Sequence, residues 1–178
     1  MSILIRDAVP DDNEAARSVQ KQTWLATYPN EELGISREDI AAHFTNISPE
    51  ARRRRELRKY RINTDPLTHL WVACKEDKII GFCLATKEDG IHLVQALYVL
   101  PEYQGQGAGK RLLQAALDWL GTEHTVVLNV ASYNERAIAF YRHFGFVITD
   151  NPPQAIVHPL PSGAVIPELE MIRAGKQE

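Results

Sequence analysis

Apolar and polar residues alternate weakly through SILIRDAV, residues 2–9, and the pattern stops at Pro10, which predicts a first strand and then a break. Asp11 and Glu14, three apart, offer a capping-box start to a helix running to Tyr28. Ser36 with Asp39 caps a second helix, REDIAAHF, and Ser48 with Pro49 at the first helical position opens a third, through ARRRRELRKYR to Arg61. HLWVACK and KIIGFCLATK are rich in β-branched and aromatic residues and flank a short polar turn at Glu76 and Asp77, so they read as a hairpin. IHLVQALYVL is the next strand. After a glycine-rich stretch, Leu112, Leu113, Ala116, Leu117 and Leu120 recur at helical spacing up to Gly121.

TVVLNVAS predicts another strand, followed by a helix that Ser132 and Glu135 would cap and that ends at Gly145. FGFVITD is a further strand. NPPQAIVHPLPSG carries four of the ten prolines and is expected to be a loop, leaving AVIPELEMIR as the last strand, with Pro167 near its start. The order strand, helices, hairpin, strand, helix, strand, helix, two strands predicts an α/β fold: one mixed sheet with helices on both faces. Residues 1–178 are expected to form a single domain, its ordered core running from about residue 2 to about residue 173.

A chain of 178 residues, 44% hydrophobic and 24% charged, can bury the core such a sheet needs. Its formal net charge of −3 is too small to mark the whole molecule as a nucleic-acid or membrane binder. The sequence has no charged leader before an apolar run and no window of membrane-spanning length, so a soluble cytoplasmic protein is expected. Cys74 and Cys83 lie in strand-like runs without metal or redox spacing and are expected to be buried, reduced thiols. His69, His92, His124 and His158 show no ligand spacing, so no metal site is expected. The run Arg52 to Arg55, with Arg58, Lys59 and Arg61, is read as a solvated helix face rather than a nucleic-acid surface.

The stretch YQGQGAGK, residues 103–110, joins a strand to a helix through Gly105, Gly107 and Gly109. Such a turn presents backbone N–H groups that have no helical acceptor, and the helix dipole adds positive charge there. Glycine permits positive φ and close approach, and Lys110 and Arg111 add charge at the rim, so the turn is an anion cradle for phosphate or pyrophosphate. Gly105 stands one position too close to the Gly109-Lys110 pair for a Walker loop, and Arg111 replaces its Ser or Thr. The G-x-G-x-G spacing, late in the chain and without an acidic residue ending the next strand, does not match the dinucleotide fingerprint either.

Gln104-x-x-Gly107-x-Gly109, preceded by ALYVLPEY and followed by KRLL, closely resembles the acyl-CoA pyrophosphate loop of the GNAT N-acetyltransferase superfamily. VVLNVASYNERAIAFYRHFGF resembles the family's second signature, an Asn entering a helix and a Tyr seven residues later, here Asn134 and Tyr141. The resemblance covers nearly the whole chain. It implies a mostly antiparallel sheet of about seven strands with a central splay, acetyl-CoA as acyl donor, no metal, an amine acceptor and, by family habit, a homodimer. It also implies that Leu97, Tyr98 and Val99 bind the pantetheine arm through the strand backbone. The backbone of Gln104, Gly105, Gln106, Gly107, Ala108, Gly109 and Lys110 would hold the pyrophosphate, with Asn134 and Tyr141 also touching the cofactor. Without the resemblance, Phe140 and Tyr141 read as core aromatics.

The chemistry needs a neutral amine, and an alkylammonium of pKa ~10 must first lose a proton. A backbone N–H, that of Val99, would stabilise the oxyanion, and Tyr141 would protonate the leaving thiolate as general acid. Where many relatives carry an acidic residue on the cofactor-binding strand, this chain has Leu93 and Gln95. Gln95 can orient a water but cannot take a proton; Glu31, Glu32 or His92 could serve as base, or an already neutral amine could be used. Trp24 and Tyr28, at i and i+4 on the first helix, are both expected to bind the acceptor, as half core and half wall of its cleft. The expected activity is acetyl transfer to a primary amine of a small molecule, polyamine or peptide, by direct attack in a ternary complex. The alternatives are a CoA-binding regulatory or partner-binding domain with weak catalysis, and a basic-helix nucleic-acid binder.

Overall fold

The alternation at the start of the chain becomes strand β1, Leu4–Asp7, which pairs antiparallel with β2, Thr68–Lys75. The structure, a computed structural model, describes residues 2–45, 48–59, 62–151, 154–155 and 159–176; His158, Arg61 and the side chains of Arg58 and Lys59 lie outside the described residues. Three helices follow β1: α1, Asn13–Thr27; α2, Arg37–Thr45; and α3, Pro49–Lys59. Ser36 and Ser48 cap the second and third as the sequence predicts, accepting the N–H groups of Asp39 and Ala51 at 3.0 and 3.1 Å. The first helix starts differently. Pro10–Asp12 form a 3-10 turn, and the Asp12 carboxylate accepts the Val9 N–H at 2.8 Å instead of capping the helix ahead of it.

The hairpin is β2 with β3, Lys78–Lys87, and Glu76 and Asp77 take φ of 50° and 63° to reverse the chain tightly. Then come β4, Ile91–Val99; α4, Ala108–Leu120; β5, Thr125–Ala131; and α5, Glu135–Arg142. Three strands close the chain: β6, Val147–Ile148; β7, Gln154–Ala155; and β8, Pro167–Arg173. The sheet order is β1-β2-β3-β4-β5-β8-β6, with β7 also on β8, and among the described residues only β4 with β5 is parallel. The mixed, mostly antiparallel sheet expected from the sequence is thus found, with β7 an added two-residue strand inside the proline-rich segment read as loop.

Each face of the sheet is apolar and each is covered. The stripe on α4 (Leu112, Leu113, Ala116, Leu117, Leu120) is buried against Trp71, Ile80, Cys83 and Ala85. Burying each of those leucines contributes roughly 2 kcal/mol before entropy is subtracted. On the other face α1 sets Ala16 and Val19 against Val72, Phe82 and Leu100. The end of α1 joins α2 in a second cluster of Trp24, Ile35, Ile40 and Phe44 over Ala131 and Ile166. Cys83 is buried and Cys74 half-buried, and both are free thiols. Arg52, Arg53 and Arg54 are exposed, so this part of α3 is a solvated face. Among the described residues no helix is long and apolar enough to cross a membrane.

One ion pair anchors β1 to the first helix. Arg6 donates to both carboxylate oxygens of buried Asp12, at 2.6 and 2.9 Å. These bonds from Arg6 hold the Asp12 carboxyl below its ordinary range, aided by the Val9 N–H and opposed by burial. A depressed carboxylate pKa gives stability that is present above the unfolded value of about 3.9 and lost as pH falls through the folded value. Asp12→Asn is therefore expected to cost about 1–2 kcal/mol at neutral pH, a charge-assisted bond discounted because the Arg6 side chain is 38% exposed. Urea titrations should show the gap between wild type and variant closing in acid. A gap that persists there would assign the loss to packing.

Candidate active site

Strands β4 and β5 pair only over Ile91–Leu93 and Thr125–Val127. Past that point β4 stays on β3 as far as Val99, and β5 stays on β8 as far as Ala131, so the two parallel strands part. Between them opens a cavity of about 1080 Å³, walled by Leu97, Tyr98 and Val99 on one side and by Asn129 and Val130 on the other. A bulge bends β4 at this point: Ala85 pairs with Val94 but Leu84 with Ala96, leaving Gln95 as the extra residue. Gln95 faces the cavity, its amide donating to the Thr86 hydroxyl at 3.1 Å.

At the end of β4 the glycine turn closes one mouth of the cavity. The Gln104 amide donates to the Val99 carbonyl at 2.9 Å and ties the turn to the strand. Gly105 and Gly107 have φ of 79° and 89°, conformations that side chains resist, and Gly107 is the N-cap of α4. The N–H groups of Ala108, Gly109 and Lys110 begin the helix without intrahelical acceptors. Gly109 is helical and does not use positive φ; a Cβ there would sit 3.7 Å from Val99 and 3.8 Å from the Phe140 ring. Gln104, Gly105, Gly107, Gly109 and Lys110 line the cavity. Ala108 and Gln106 do not: the Ala108 methyl is in the core, and Gln106 accepts from the Lys75 ammonium and donates to the Glu102 carbonyl. Gly81, not singled out in the sequence, permits this packing, because a Cβ there would come within 2.8 Å of the Tyr98 carbonyl.

Helix α5 forms the next wall. Asn134, not Ser132, caps it, its side-chain oxygen accepting the Ala137 N–H at 3.2 Å. That leaves the Asn134 NH2 as the donor it can offer a ligand. Tyr141 lines the cavity and is 8% exposed. Arg136, Phe140 and Phe144 share this wall, and sequence reasoning did not place them there. Counting four residues back and forward from Phe140 would have found Arg136 and Phe144.

Comparison with known proteins then decides the family. The profile of the Acetyltransferase (GNAT) family matches residues 35–146, which include the splay, the glycine turn and α5. The chain belongs to the GNAT family. It is similar to the peptidyl-lysine N-acetyltransferase YjaB of Salmonella typhimurium, 36% identical over 85 residues, which are 47% of this chain and 54% of that protein. It also resembles the L-amino acid N-acyltransferase MnaT of Escherichia coli, 33% identical over 66 residues, 35% of this chain and 38% of that one. The chain thus spans about half the length of the curated relatives it matches, or less. Among solved structures, the PaiA N-acetyltransferase of Thermoplasma acidophilum in complex with coenzyme A superimposes with a TM-score of 0.76 at 22% identity, covering 98% of this chain and 99% of that one. That likeness shows a shared fold.

The far end of the cavity lies under the end of α1. Tyr28 lines the cavity, while Trp24 is buried in the core against Tyr28 and Phe44, so only one of this pair forms wall. The Tyr133 hydroxyl donates to the Tyr28 carbonyl at 2.9 Å and fixes the helix end. Burial raises the Tyr28, Tyr98 and Tyr141 phenols above the ordinary value, with Cys83 and Tyr98 adding to the effect on Tyr141. Each stays protonated at neutral pH. The base candidates of the sequence are not here: Glu31 and Glu32 are exposed and off the cavity wall. His92 is buried at the opposite end of β4, in a separate cavity beside His124, where burial and then His124 lower its pKa. Among the described residues no carboxylate lines the splay cavity, and no cluster of His, Cys, Asp and Glu is arranged to hold a metal.

Proposed function

We propose that this protein is an acetyl-CoA-dependent N-acetyltransferase acting on a primary amine of a small molecule, polyamine or peptide, by direct attack in a ternary complex. The observation that carries the reading is one continuous cavity that runs from the glycine turn, through the splay and past Tyr141, to Tyr28. The residues fit the donor. Unpaired helix N–H groups and Lys110 offer an anion cradle, an ideal Cβ at Gly105 or Gly107 would meet nothing within 4 Å, and Arg136 adds charge on the facing helix. The backbone of Leu97 and Val99 borders the gap as an added strand requires, with the Val99 N–H as oxyanion donor. Tyr141 holds a proton within the cavity for the departing thiolate. Asn134 contributes its amide, and Tyr28 bounds the acceptor. The named activities of YjaB and MnaT, on peptidyl-lysine and L-amino acids, support an amine as the acceptor class.

Calorimetric titration tests this first. Acetyl-CoA and CoA should bind, with ATP and NADH as non-binding controls, and thiol release should follow on adding spermidine, amino acids or a lysine peptide. Failure to bind either CoA species would overturn the reading. The lack of a carboxylate on the cavity wall favours a second reading, a CoA-binding regulatory domain. Tight binding without thiol release across the amine panel would select it.

A further inference from the structure

Among the described residues no carboxylate lines the cavity, and the imidazole that does, His143 at the end of α5, is tied through Nδ1 to the Ala139 carbonyl at 3.2 Å; a carboxylate stands one strand beyond the wall. Register on β8 pairs Glu168 with Ala131, so both side chains lie on the sheet face that carries the cluster of Trp24, Tyr28, Tyr98 and Tyr133. Glu168 is half-buried, and among the described residues no Lys, Arg or His pairs with it. Tyr28 and Tyr98 pack in the same cluster as Ala131, the residue opposite Glu168, and after burial the Glu168 charge adds a smaller upward push to both phenols. Both Tyr28 and Tyr98 line the cavity.

We propose that Glu168 is the terminal proton acceptor for the incoming amine, reached through the hydroxyls of Tyr28 and Tyr98. The proposal rests on the transferase reading above and supplies a carboxylate base for it. An ammonium seated against the phenols passes one proton to a hydroxyl, which passes its own to the Glu168 carboxylate. The neutral nitrogen then forms the C–N bond to the thioester carbonyl carbon. The C–S bond breaks, the thiolate takes the Tyr141 proton, and the protonated amide returns one proton to Tyr141. Glu168 releases its proton to solvent, so the turnover yields amide, free thiol and one proton. Glu168 acts through the tyrosines and is a positioning and proton-storing residue.

The surroundings suit a base. Ala131 on β5 is apolar; Gln20, Trp24 and Tyr28 face the site from α1, and Tyr98 from β4. On its own strand Glu170 is held by the Asn151 amide at 2.7 Å, and Asp39 across the cluster is held by Ser162. His43 stacks on Trp24 beyond them. Burial raises the Glu168 carboxyl above the ordinary carboxylate value, which makes its ionised form a stronger base. Activity should therefore climb as pH rises through that raised value.

The test measures kcat/KM from about pH 5.5 to 9 with acetyl-CoA and spermidine, and with a lysine peptide as second acceptor. Glu168→Gln is expected to lower kcat/KM about tenfold or more at neutral pH and to erase the acid limb, while acetyl-CoA affinity stays unchanged. Glu168→Asp should keep the limb but displace it, and Tyr28→Phe should give a partial loss because Tyr98 remains. If Glu168→Gln fails to fold, the Asp variant decides: a displaced limb supports the proposal, and an unmoved one overturns it. A wild type that releases no thiol with either amine overturns the transferase reading itself. An active wild type whose Gln variant keeps the acid limb overturns only the assignment to Glu168.

Discussion

Tyr141→Phe is expected to lower kcat for acetyl transfer by about 100-fold while changing acetyl-CoA affinity less than about threefold. The phenol and phenyl rings fill the same space. Tyr141 is 8% exposed and packs edge-on against Phe140 and Phe146, with ring centroids 5.3 and 5.9 Å away, so the variant keeps those contacts. What it loses is the proton. Because burial, then Cys83 and Tyr98, raise the phenol above its ordinary value, wild-type Tyr141 stays protonated throughout the assay range. A basic limb below about pH 10 should accordingly not belong to Tyr141. Thiol release at saturating acetyl-CoA, with calorimetry beside it, separates the two effects. Turnover within about twofold of wild type would remove the proton-donor role.

Gly107→Val is expected to weaken acetyl-CoA binding by about 100-fold or more, equivalent to about 2.7 kcal/mol. The cause is conformational before it is steric. At φ 89° and ψ −4° Gly107 occupies the left-handed region, where an L residue costs roughly 1–2 kcal/mol and a β-branched one more. A valine either bears that strain or pulls the turn out of shape and disperses the N–H groups that begin α4. An ideal Cβ at this position meets nothing within 4 Å, so the apo fold should survive with a modest loss of melting temperature. Gly109→Ala is the control. Its backbone is helical, and the added methyl makes ordinary contacts with Val99 and Phe140 at 3.7 and 3.8 Å, so its loss of affinity should be much smaller. Equal losses would show that the methyl group, rather than backbone geometry, governs the cradle.

These expectations grew from a motif that was visible in the chain, but the site around it was visible only in part. Asn134 shows why. Ser132 and Asn134 are both competent N-caps two residues apart, and propensity alone does not choose between them. The turn Ala131–Asn134, closed by a hydrogen bond at 2.9 Å and anchored by β8 through the Ser132 N–H, makes the choice. Trp24 and Tyr28 lie one helical turn apart, yet one is core and the other is wall, because α2 covers the first with Phe44 and leaves the second at the cavity. His92 read as a base candidate, but it sits on the paired part of β4, before the strands part.

Local sequence therefore determined most of the elements, the glycine turn and the family to which the chain belongs. Those properties depend on periodicity, capping and backbone freedom within a few residues of each other. Tertiary structure decided the rest: where β4 and β5 separate, the bulge at Gln95, the need for Gly81 beside the end of β4, and the placing of Glu168 opposite Ala131. Each depends on strand register between segments distant in the chain. A shift of one residue would turn Glu168 to the opposite face of the sheet.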